Sequence, residues 1–77
     1  MKKIYIAKVL IEDIDSNSCS VEVFPTQDKA RAWADKEIDS YAMEYDGSVT
    51  ERADNYYAME AGDTYVTIEI EEKEINI

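Results

Sequence analysis

Glu69 and Glu71 alternate within "TYVTIEIEE", and this is the spacing in the sequence that most invites a catalytic reading. On a strand, residues two apart project from the same face about 7 Å apart, close to the separation of the paired acids in glycoside hydrolases. Acid catalysis needs one of such a pair kept protonated by burial. A chain of 77 residues leaves little room for a cleft that would do so. Alternating glutamates on an exposed strand read instead as a solvated face. The chain has no histidine, which removes Ser-His-Asp triads, imidazole acid–base chemistry and His-ligated metals. Cys19 is the single cysteine, has no imidazole to activate it and lies in a polar stretch, so a free thiol is expected rather than a nucleophile. The chain is expected not to be an enzyme.

Metal and phosphate chemistry find little more. "DIDSNS" puts Asp13, Asp15 and Asn17 at positions 1, 3 and 5 of a calcium-loop pattern. Position 6 is then Ser18 instead of glycine, and position 12 is Phe24 instead of the bidentate glutamate that closes the shell. A polar hairpin tip accounts for these residues. Gly47 and Gly62 are the only glycines and lie far apart, so no phosphate-cradling loop can form. No cofactor is expected.

Charge is the feature that remains. The net charge is −10, and all of it arises in the second part of the chain. Residues 1 to 31 carry five basic and five acidic groups, whereas residues 32 to 77 carry three basic against thirteen acidic. An excess of this sign repels nucleic acid and acidic membranes, so a charged partner should be basic. A solubility device has no reason to leave one stretch neutral.

These residues must be placed by elements, and the sequence suggests them. One small core and a single domain over residues 1 to 77 follow from the length. The lone cysteine fits a reducing, cytoplasmic setting, and no segment nears the roughly 20 apolar residues that span a bilayer. Residues 3 to 11 read as a strand, "EDIDSNSCS" as a polar loop, and "VEVF" as a second strand closing a hairpin. Thr26 is a fitting N-cap for a helix over 27 to 45, on which Ala30, Trp33, Ala34, Ile38, Tyr41 and Tyr45 share one stripe and Gly47 marks the stop. Asp28, Asp35, Asp39 and Asp46 form a row roughly opposite that stripe.

The tetrapeptide Tyr-Ala-Met-Glu occurs twice, at 41 to 44 and at 57 to 60. The first copy falls in the last helical turn. The second precedes "AGD" and the alternating "YVTIEIEEKEI", so residues 55 to 60 read as a strand paired with 64 to 75, with a short helix over 51 to 60 as the competing reading. The repeat is therefore treated as coincidence. The resulting fold class is α+β, ordered β-β-α-β-β, an antiparallel sheet with one helix on one face. Val66, Ile68 and Ile70 should meet Trp33 and Ile38, which leaves Tyr65, Thr67, Glu69 and Glu71 on an open face. Of the first strand, either the Ile4, Ile6, Leu10 set or the Tyr5, Ala7, Val9, Ile11 set joins that open face.

Taken together, "MKKIYIAKVLI", "DKARAWADKEI" and "GDTYVTIEIEE" give a chain that resembles the small acidic proteins encoded by phages and mobile elements of Gram-positive bacteria. Some of that class, including several anti-CRISPR proteins, inhibit host nucleases by occupying basic surfaces meant for nucleic acid. The resemblance implies the same activity here. The expected function is a noncatalytic module that binds a basic protein surface, with nucleic-acid mimicry as its specific form and a nucleic-acid-binding enzyme as partner. Asp35, Asp39, Glu44, Glu69 and Glu71 would supply charge, and Tyr45, Tyr57 and Tyr65 apolar anchors. The alternative is a homo-oligomeric structural or accessory module whose open sheet face self-associates, with acidity serving solubility.

Overall fold

A computed structural model describes residues 2–76. The elements are β1 (Lys2–Glu12), β2 (Asn17–Phe24), α1 (Gln27–Glu44), β3 (Ser48–Ala53), β4 (Tyr56–Ala61) and β5 (Thr64–Ile75). All strands pair antiparallel in one five-stranded sheet of order β2-β1-β5-β4-β3, and α1 lies across one face. The α+β class and the single covered face are those the sequence implies.

The two longest strands, β1 and β5, are central because each carries enough β-branched residues to pair on both sides. Their facing set is settled by the alternation. Ala7 and Val9 of β1 and Val66, Ile68 and Ile70 of β5 are buried with Ala30, Ala34 and Ile38 of α1, and Tyr57 and Met59 of β4 complete the core. Tyr5, Ile11, Trp33 and Tyr41 pack around this cluster. Ile4, Ile6 and Leu10 are therefore the set left on the open face.

Two features differ from the sequence expectation. The β1–β2 loop is only Asp13–Ser16, because Asn17, Ser18, Cys19 and Ser20 continue the ladder against Glu12, Ile11, Leu10 and Val9. Polar side chains are tolerated there because β2 is an edge strand exposed along nearly its whole length. The sheet also has one strand more than expected. Residues 48 to 53 form β3, with a register shift between Val49 and Glu51, and not the start of a helix over 51 to 60.

The helix ends explain its position. Thr26 caps the N-terminus, accepting from the Lys29 amide at 3.2 Å. At the C-terminus the Gly47 amide donates to Ala42 O at 2.7 Å and the Asp46 amide to Met43 O at 3.4 Å, the two bonds of a Schellman motif. The left-handed residue of that motif is Asp46, with φ 55°. Gly47 is required for space: a β-carbon there would lie 2.5 Å from Glu60 O and 2.6 Å from the Ala61 β-carbon. The helix thus turns directly onto β4.

Candidate functional site

The expected partner-binding residues do not form one surface. Tyr57 is 6% exposed and sits in the core beneath α1, where burial raises its phenol above the ordinary range. It cannot anchor a partner, because the alternation that faces Ile68 inward faces Tyr57 inward with it. Asp35 and Asp39, one helical turn apart, are both engaged by the Arg52 guanidinium from β3. Their row lies on the flank of α1 toward β3, not opposite the core. Glu69 and Glu71 lie on the open sheet face, on the other side of the molecule. There the Lys8 ammonium contacts Glu71 at 2.7 Å. The hydrogen bond between them, reinforced by their charges, lowers the Glu71 carboxyl and raises Lys8 from their usual values.

Three of the expected residues share one end of the molecule, where α1 stops, Glu44 and Tyr45 on the helix side of the sheet and Tyr65 on the open side. Tyr45 caps the helix and stacks on Tyr41, ring centroids 6.3 Å apart. Glu44 is the last helical residue. Tyr65, 48% exposed, is level with Glu12 on one side and Glu60 on the other.

The strand register shows what else is there. Glu60 pairs with Ser48, the first residue of β3, so the α1–β3 turn, the β4–β5 turn and the β1–β2 loop all lie at this end. Asp13 links two of them, accepting from the Thr64 hydroxyl at 3.4 Å. The end consequently carries seven carboxylates, on Glu12, Asp13, Asp15, Glu44, Asp46, Glu60 and Asp63. None of them takes part in an ion pair among the described residues. The last carbonyls of α1 add their own negative partial charge.

All eight basic residues lie elsewhere. Lys2, Lys3 and Lys73 occupy the opposite ends of β1 and β5, Lys29 and Arg31 the N-terminal half of α1, Lys8 and Lys36 the middle of their elements, and Arg52 the far end of β3. Charge is therefore segregated along the 44 Å axis of the molecule rather than between two portions of the sequence. Glu12, Asp13 and Asp15 come from the stretch that looks neutral in sequence. The overlooked signal was that the acidic residues concentrate at element ends, and antiparallel order brings those ends together.

Exposed apolar side chains accompany them. Ile14 in the β1–β2 loop is 75% exposed and Met43 in the last turn of α1 is 84% exposed. Among the described residues no group of carboxylates is arranged to hold a metal ion, no pocket forms, and no helix is long and apolar enough to cross a membrane. The surface is suited to contact, with acid, aromatic and aliphatic groups on a convex end.

No family model matches the chain, and no curated protein or solved structure matches it either.

Proposed function

We propose that this chain is a noncatalytic protein-binding module that docks its acidic end onto a basic surface of a partner protein. The observation that carries the reading is the segregation itself: seven unpaired carboxylates share one end, and the eight Lys and Arg residues lie elsewhere. Such a field steers a cationic surface toward that end before contact. Tyr45, Tyr65, Ile14 and Met43 then supply the apolar contacts on which affinity rests. The partner class is a nucleic-acid-binding enzyme, whose basic groove is built to receive a dense array of negative charge. Asp35, Asp39 and Glu71 play no part in this reading, since each is held in an ion pair within the fold, Asp35 and Asp39 by the one Arg52.

The test uses immobilised protein and a lysate, with capture compared between wild type and a variant carrying Asp15→Asn, Glu44→Gln, Asp46→Asn and Asp63→Asn. A partner held by wild type at low salt, released at high salt, lost in the variant and displaced by duplex DNA is the expected result. Capture unaffected by salt and by the four substitutions would overturn the reading.

A further inference from the structure

The face of the sheet away from α1 is uncovered, and its residues are fixed by register. It presents Lys2, Ile4, Ile6, Lys8, Leu10 and Glu12 from β1, with Val21 and Val23 from β2 level with Lys8 and Ile6. From β5 come Tyr65, Thr67, Glu69, Glu71 and Lys73, and from β4 Tyr56, Ala58 and Glu60. Val21 and Val23 are 53% and 57% exposed although both are good strand formers with nothing over them. The apolar residues concentrate on the β1–β2 half. The charges are polarised, with Lys2 and Lys73 at one end of this face and Glu12 and Glu60 at the other.

We propose that a second copy of this chain covers this face, related by a twofold axis perpendicular to the strands. Two sheets packed face to face lie about 10 Å apart with their strands roughly aligned, and a twofold axis in the interface can run either along the strands or across them. An axis along the strands stacks acidic end on acidic end and lays β2 over the Glu51 side of the other sheet. An axis across them lays β2 on β2 and the acidic end of each copy over the lysines of the other. Charge complementarity and apolar complementarity select the same arrangement.

Placing the axis level with Ala7 makes the pairing specific, since Glu22 of β2 and Ile70 of β5 share that level. Lys2 then lies over Glu12 of the second copy, Ile4 over its Leu10, and Val21 over its Val23. The available face is of adequate size, because the molecule measures 44 by 22 Å in its two longer dimensions and a standard interface buries ~800 Å² per partner. The unfavourable element is on β5, where Glu69 meets Glu71 of the second copy and four carboxylates share two Lys8 side chains. This holds the association in the weak range and makes Glu69 the residue that limits it.

The interface shares Glu12, Glu60 and Tyr65 with the acidic end, but its test reads self-association of the purified chain, so its failure is distinguishable from failure of the partner reading above. Sedimentation of the full chain from about 10 μM to about 1 mM is expected to show a monomer–dimer equilibrium. Val21→Glu with Val23→Glu is expected to weaken dimerisation at least ~10-fold, with the circular dichroism spectrum unchanged, and Glu69→Gln to strengthen it. A concentration-independent monomer, or a dimer indifferent to all three substitutions, would overturn the proposal. The axis is tested by spin labels on Asp63→Cys in a Cys19→Ser background. Labels on the order of 45 Å apart are expected from strands running in opposite directions, and labels in contact would overturn that arrangement.

Discussion

Arg52 on the edge strand β3 reaches across to α1 and donates to Asp39, while its other terminal nitrogen donates to Asp35. This clasp ties an edge strand to the helix and engages two carboxylates that would otherwise belong to the free acidic surface. Arg52→Gln is expected to lower the melting temperature at low salt, with the difference from wild type shrinking as salt approaches ~1 M, where screening acts within about 3 Å. Capture of the partner should be unchanged, because the acidic end is untouched.

The α1–β3 turn gives a second expectation. Gly47→Ala forces a β-carbon against backbone and side chains of β4 and should destabilise by about 1–3 kcal/mol. Gly62→Ala meets no neighbour within 4 Å, but the position has φ +61°, so it should cost only about 1 kcal/mol of conformational strain. Urea midpoints of the two variants order them.

Asp46 tests the separation of stability from binding. It holds a left-handed conformation at φ 55° and places a negative charge at the negative end of α1. Asp46→Gly is expected to stabilise the fold by about 1 kcal/mol, visible as a rise of roughly 4–8 °C in melting temperature. The same substitution removes one of the free carboxylates and should weaken capture of the basic partner. A variant that is more stable and binds less well is the expected outcome.

Tyr57 and Tyr65 contrast directly. Tyr57→Ala empties part of the core and should cost about 3–5 kcal/mol, a large share of the stability of so small a domain. Tyr65→Ala, on the exposed face, should leave the unfolding free energy from urea titration within about 0.5 kcal/mol of wild type and act on binding instead.

The Lys8–Glu71 pair sets a pH dependence. Glu71 titrates below its ordinary value of 4.5 in the folded chain, so its contribution is present above that pH and is lost as pH falls through the folded value. Lys8 titrates above its ordinary 10.5, so its contribution is complete below that pH and is lost as pH rises through the folded value. Glu71→Gln should therefore be less stable than wild type at about pH 7, and the gap should close at about pH 3. Denaturant midpoints at the two pH values check both signs.

Much of the fold was legible because period-two and period-3.6 patterns are local. Val66, Ile68 and Ile70 against Ile38 follow from alternation and helical spacing alone, whereas Trp33, expected beside Ile38, packs only at the edge of the cluster. β3 was not legible, since "SVTERA" holds little apolar alternation and is stabilised by pairing with β4 and by the Arg52 clasp, both nonlocal. The site was legible in kind and misplaced in position. Glu44, Tyr45 and Tyr65 share one end, whereas Tyr57 is buried and Asp35, Asp39 and Glu71 are spoken for, because which carboxylate meets a cation depends on register between elements. No spacing within one element reveals that Glu12, Glu60 and Asp46 come to share one end of the molecule.

Lys2 pairs with Ile75, so the two extremities of the described chain leave the sheet side by side, at the pole opposite the seven carboxylates. An affinity tag, a fluorophore or a resin linker fused at either extremity would therefore hold the molecule by its far pole. Immobilised in this way, every copy would point its acidic pole into solution, like bristles on a brush, and a cationic protein passing over the surface would meet that pole first.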